Sequence, residues 1–265
     1  MDYSLIIKKQ ENGIGFLTLN SPETFNSFSV EMTEEILHAL KAFSEDNTIR
    51  VVVISGNDSG FCAGGDLKSM IYSLNNGDIV ADYFKPVLNM LVDIVLTIRR
   101  MDKPVIASVQ KAATGAGFNF ALACDFRIAT ENAVFVQSFV NLGMIPYMGG
   151  MYFLNHYLGA TKAMELVMLG SVLRSQEAYE LGLLSKRVPN DKLEEETINF
   201  ANKFVKGPKH VYKSLKELAN KHFFSDLESF LKDEYEHELS IVETGDFAEG
   251  ARAFLEKREA IFNGK

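Results

Sequence analysis

Residues 103–125, KPVIASVQKAATGAGFNFALACD, decide how this chain is read, because an apolar strand there runs through a turn of small residues into a helix. Val105, Ile106, Ala107 and Val109 form a short run that suits a strand covered on both faces. Thr114, Gly115, Ala116 and Gly117 strip side-chain bulk from the turn, and 118–124 reads as a buried helix. The first turn of a helix carries N–H groups with no intrahelical acceptor, so an anionic oxygen can be received there. The plain alternative is a tight strand-to-helix connection in an ordinary α/β protein.

Working outward, the same pattern occurs once before. Residues 51–55 are an apolar strand leading into the loop 56–66, GNDSGFCAGGD, and a helix at 67–74. Ahead of it, 3–8 and 15–20 read as a hairpin around Glu11-Asn12-Gly13, and Ser29 is a suitable N-cap for an amphipathic helix over 30–44. Behind it, 75–78 signals a loop and 80–100 a long helix. After Asp125 come short strands at 126–129 and 134–137, a loop at 141–150, and helices at 151–158 and 161–169 parted by Gly159. Ser175 is expected to cap a helix reaching Leu181, and a turn and strand follow to Val188. Alternating strands and helices give an α/β fold over 1–192. Residues 193–265 carry only helical signals, with breaks at Gly207-Pro208, Phe224-Ser225 and Thr244-Gly245, and form a C-terminal helical region.

The 265 residues suffice for a sizeable core without disulfides or metals. Lys plus Arg number 27 against 35 for Asp plus Glu, a net charge of −8, and no basic cluster marks a nucleic-acid surface. Cys62 and Cys124 lie in apolar segments and read as buried thiols of a reducing compartment, so the cytoplasm is expected. No apolar run approaches a membrane span, and the N-terminus lacks the pattern of a secretion signal.

Seven segments in order carry a resemblance that runs almost end to end: FNSF at 25–28, GFCAGGDLK at 60–68, KPVIA at 103–107, GAGFNFALACD at 115–125, NLGMIP at 141–146, AYELGL at 178–183 and FLEKR at 254–258. By these the chain resembles the crotonase (enoyl-CoA hydratase/isomerase) superfamily. The resemblance implies a spiral of strand-strand-helix units, with C-terminal helices that pack trimers, often paired into hexamers. It further implies an acyl-CoA substrate, coenzyme A being part of that substrate and no other cofactor being needed. The thioester carbonyl would be held by the backbone N–H groups of Gly65 and Ala116, where preorganised donors stabilise an enolate oxygen by several kcal/mol. The backbone near Phe25, Ala63 and Gly64 would receive adenine and pantetheine, and Lys68 and Lys257 would meet phosphates, though a solvated surface charge is an equal reading for either lysine.

The resemblance breaks at the catalytic side chains. Hydratases of the family place one glutamate three residues after the second donor and another in the loop that follows; here those positions hold Asn119 and Phe139. Neither takes a proton at neutral pH. Some isomerases and dehalogenases of the family have an aspartate where this chain has Tyr147, whereas its methylmalonyl-CoA decarboxylase branch is similar in having a tyrosine there and a hydroxyl residue at Ser138. Loss of carbon dioxide from a malonyl-type thioester leaves the same enolate without any base. Neutral hydrogen bonds from Asn119, Ser138 and Tyr147 would suit a substrate carboxylate, which a fixed carboxylate would repel by about 4 kcal/mol at close range. Other readings are an isomerase or hydratase with an unusual base, for which Asp78, Asp82, Tyr83 and Asp93 are candidates, and a thioester-binding homologue without turnover. Asp66 reads as a helix cap, Phe139 as pocket wall, and His156 and His237 as structural.

Overall fold

The computed structural model describes residues 2–76 and 80–265. Strands Ile6–Glu11 (β1) and Ile14–Leu19 (β2) pair antiparallel around Asn12 and Gly13, both with positive φ, as a tight hairpin turn requires. The first strand starts later than the sequence pattern suggests. The Glu35 carboxylate takes up the N–H groups of Ser4, Leu5 and Ile6, so a side chain holds this entry segment. Helix Val30–Glu45 (α1) carries Glu35 and opens with Ser29 Oγ accepting from Met32 N at 3.1 Å, the expected N-cap.

The main sheet continues through Val51–Gly56 (β3), Val105–Val109 (β4), Phe126–Thr130 (β6) and Lys186–Val188 (β9), all parallel from β2 onward, in the order β1-β2-β3-β4-β6-β9. A second sheet holds Ala112–Thr114 (β5), Val134–Val136 (β7) and Val172–Arg174 (β8). The chain steps from β4 to β5 through Lys111, at φ 54, and then enters helix Ala116–Ala123 (α4). Strand, offset strand and helix therefore make one turn of the spiral. The same turn occurs earlier as β3, a Cys62↔Ala113 bridge to β5, and helix Leu67–Asn76 (α2).

Strand residues divide by parity, as the pleat demands. Val52, Ile54, Val105 and Ala107 face the large core with α1 and helix Val80–Arg100 (α3), while Val51, Val53, Ile106 and Ile128 face helix Leu193–Val205 (α8). Helices Gly150–Leu158 (α5), Ala160–Leu169 (α6) and Ser175–Glu180 (α7) precede β9, and Lys209–His222 (α9), Leu227–Ile241 (α10) and Gly245–Glu256 (α11) complete the C-terminal region. α9 and α10 pack on α3, and α11 on α2.

Four expectations are corrected. α4 begins at Ala116 rather than 118, a 3-10 turn at Phe139–Leu142 cuts into the expected loop, and α2 runs to Asn76. Ser175 does not cap α7; the cap position is Arg174, the end of β8, a three-residue strand too short to have left a pattern. The candidate Asp78 lies outside the described residues.

Candidate active site

The two glycine-rich loops meet side by side. Thr114 N donates to Cys62 O at 2.9 Å, and Phe28 N and Asp66 N bond across the Gly64–Gly65 segment to Gly64 O and Phe28 O. Among the described residues these ladders leave without an acceptor the N–H group of Gly65 and those of the first turn of α4, Ala116 included. A Cβ built on Gly64 would stand 3.4 Å from Ala116 N, which measures how closely the two turns approach. One on Gly117 would meet Cys62 O at 2.4 Å, so the α4 entrance tolerates no side chain there. Ala116 is N1 of the fully buried α4, and the helix's positive end adds to its free amide.

Tyr147 stands against Gly65. Its hydroxyl lies 2.5 Å from where a Cβ of Gly65 would be, and its ring packs edge-on against Phe139 with centroids 4.9 Å apart. Burial, reinforced by the negative charge of Glu238, pushes the phenol well above its ordinary value. Tyr147 is thus a neutral donor at physiological pH. Ser138, Ala63, Leu67 and Thr114 line a cavity of about 570 Å³, closed on the other side by Ala253 and Phe254 of α11.

Asn119 takes a different place from the one expected of it. Its Nδ2 donates to Tyr147 O at 2.6 Å and its Oδ1 accepts from Gln137 Nε2 at 2.7 Å. With the side chain wholly buried and one hydrogen bond made at each end of its amide, Asn119 holds the Tyr147 turn from within the core. Phe139 is buried against the Tyr147 ring. Asp66 caps α2 by accepting from Ser69 N and Ser69 Oγ. Of the proposed unusual bases, Asp82 is exposed and paired with Lys85, and Asp93 opens onto a surface groove beside Lys41 and Arg100. Tyr83 is half-buried, with burial and the Asp66 charge raising its phenol to about 12, so it too is protonated. Burial also raises the Cys62 thiol to about 12, and its Sγ donates to Asn26 O. His156 bonds Tyr152 O within its own helix.

The segments expected to receive the nucleotide lie at the surface. Phe25 is 62% exposed at φ 53, and its carbonyl accepts from Ala63 N at 3.0 Å. Lys68 in the first turn of α2 and Lys257 just after α11 are both exposed, on helices that pack together.

Sequence reasoning missed two acids. Glu234 and Glu238 of α10 are buried, their carboxylates accepting from Gly149 N at 2.8 Å and Ile145 N at 3.2 Å. Burial raises both, Glu238 to about 8. The signal was their spacing: 227, 231, 234 and 238 share one helical stripe, and Leu227 and Leu231 mark it as the buried one. No helix among the described residues is long and apolar enough to cross a membrane.

Over residues 9–265 the chain matches the family described as Enoyl-CoA hydratase/isomerase. It is 35% identical over 265 residues, the full length of both chains, to trans-2-decenoyl-[acyl-carrier-protein] isomerase of Streptococcus mutans. It is 34% identical to 1,2-epoxyphenylacetyl-CoA isomerase of Escherichia coli, over 98% of each chain. The crystal structure of an enoyl-CoA hydratase from Mycobacterium avium subsp. paratuberculosis superposes with a TM-score of 0.89 at 27% identity, covering 99% of this chain and 100% of that one.

Proposed function

The chain belongs to the enoyl-CoA hydratase/isomerase family, and from that premise we propose that it forms a thioester enolate between the N–H groups of Gly65 and Ala116 and delivers a proton to it from Tyr147. The observation that carries this reading is the pair of unpaired amides on adjoining turns with a neutral phenol directly above one of them. Fixed donors at a developing oxyanion act in a water-poor site without reorganising, which makes them worth several kcal/mol. Such a site binds the thioester of an acyl-CoA, and coenzyme A enters as part of the substrate.

The reaction this site suits best is decarboxylation of a malonyl-type thioester. The bond from the α-carbon to the carboxylate breaks, its electron pair moves into the thioester carbonyl as carbon dioxide leaves, and Tyr147 Oη–H protonates the α-carbon before water restores the phenol. No step needs a base. That agrees with Asn119 and Phe139 at the positions where hydratases of the family carry glutamates, and with a phenol too weakly acidic to act as one. Purified protein is expected to release carbon dioxide from malonyl- or methylmalonyl-CoA, with solvent deuterium retained at the α-carbon; no release from either would remove this reading.

A second reading, migration of an enoyl double bond, is favoured by the full-length relative named trans-2-decenoyl-[acyl-carrier-protein] isomerase. It predicts conversion of a trans-2-decenoyl thioester, on coenzyme A or on a carrier protein, to a positional isomer, and exchange of the migrating proton with solvent. A thioester-binding homologue without turnover would catalyse neither reaction and no α-proton exchange in heavy water.

A further inference from the structure

The turn that carries Tyr147 is held from outside. Met148 at φ 64 and Gly149 at φ 72 are both left-handed, and a non-glycine residue there is held against its preference. No strand or helix ladder runs through 145–149, so the turn depends on its ties to other elements. Among the described residues there are four: Phe153 N of α5 donates to Gly149 O, Asn119 Nδ2 to Tyr147 O, Ile145 N to Glu238 Oε2 and Gly149 N to Glu234 Oε1. The two glutamates thus grip the amides two residues before and two residues after Tyr147.

Their placement is costly. Each leaves a second carboxyl oxygen, Glu234 Oε2 and Glu238 Oε1, buried without a partner. Removing a carboxyl from water without satisfying it destabilises the fold, and apolar packing on that stripe of α10 would avoid the cost. What the acids supply in return is the pair of acceptors that fix the turn. We propose that Glu234 and Glu238 are positioning residues for Tyr147, clamping its turn from α10 so that the hydroxyl stays over Gly65. This rests on Tyr147 being the proton donor, and it adds the device that sets the donor's place. A displacement of about 1 Å at such a group is enough to cost on the order of a hundredfold in rate.

The test uses the full-length protein with Glu234→Gln and Glu238→Gln, which keep an acceptor oxygen, and Glu234→Leu and Glu238→Leu, which do not. Two readouts are taken: hydrogen exchange at the amides of Ile145 and Gly149, and turnover on the thioester that the protein is found to convert. The Leu variants are expected to speed exchange at those two amides by about 100-fold and lower kcat by about 10- to 100-fold, with KM within about threefold. The Gln variants should keep both within about threefold of the parent. In a Tyr147→Phe background the Leu variants should cost no further activity, because a positioning residue acts only through the group it positions. The proposal is overturned if exchange at Ile145 and Gly149 is unchanged in the Leu variants, or if their activity loss adds fully to that of Tyr147→Phe. Should Tyr147→Phe alone leave turnover intact, the donor role assigned to Tyr147 fails and the positioning proposal falls with it, while exchange still reports whether the acids hold the turn.

Discussion

At the scale of single residues, the proposed site is two backbone donors and a phenol, and substitutions at Tyr147 and Gly65 test it separately. Tyr147→Phe removes only the hydroxyl and leaves the ring against Phe139, so the fold should persist while kcat falls by about 10²- to 10⁴-fold, the usual worth of a positioned acid. Steady-state kinetics with a melting curve checks both halves. Gly65→Ala acts through the same atom. The new methyl would meet Tyr147 Oη at 2.5 Å and Met70 Cε at 2.7 Å; both are ends of side chains, so the protein should fold with the phenol displaced and lose at least about tenfold in kcat. The close approach of the two turns was legible because only small residues permit it, and small residues are visible in a sequence. The role of Asn119 was not legible. An amide in a buried helix offers hydrogen bonds to whatever lies nearest, and that Gln137 and the Tyr147 carbonyl claim both its ends follows from packing across 18 and 28 residues of chain.

At the scale of elements, strands with long apolar runs and helices with clear caps were legible: β3, β4, α1 and α3 sit where periodicity and Ser29 placed them. What escaped were short pieces made by their neighbours. β8 exists because β7 offers an edge, and the 3-10 turn at Phe139–Leu142 ends at Gly143, whose φ of 67 turns the chain toward Tyr147. α10 was legible as a helix, but its two buried acids only gain meaning against the turn they hold. They also make stability depend on pH. A carboxyl whose folded-state value, about 8 for Glu238, lies above its unfolded value of 4.5 contributes stability that is full below 4.5 and lost as pH rises through 8. The linkage is on the order of 5 kcal/mol. Wild-type protein should therefore melt several degrees lower at pH 8.5 than at pH 5.5, and Glu238→Gln should flatten that slope, with the raised Glu234 accounting for what remains. Calorimetry at the two pH values decides it; a variant slope equal to the parent's would place Glu238 outside the linkage.

At the scale of the whole molecule, the question is what binds the C-terminal helices to the spiral core. α9 presents Val211, Leu215 and Leu218 outward, each at least half exposed, and we propose that this face packs against other copies of the chain. Light scattering is expected to give a trimer or hexamer that Leu215→Glu weakens. The inner attachment is ionic. Asp125, at the end of α4, accepts from Val105 N at 2.9 Å, from Arg99 of α3 at 3.2 Å and from Lys216 of α9 at 2.7 Å. Lys216 Nζ also donates to Ile98 O and Lys103 O, and the Arg99 guanidinium lies 4.5 Å from the centre of the Phe224 ring. One carboxylate thus pairs with two cations in a nearly dry site and joins three elements. Asp125→Ala would strand both charges and a strand amide, so urea unfolding should show a loss of about 3–5 kcal/mol, the cost of breaking a buried pair from one side. Lys216→Met should cost far less. Burial already lowers the Lys216 ammonium below its ordinary value, and a methionine fills similar space while leaving Asp125 paired to Arg99. If the two variants lose the same stability, the network is not organised around the carboxylate, and apolar packing of α9 and α10 on α3 must carry the attachment instead.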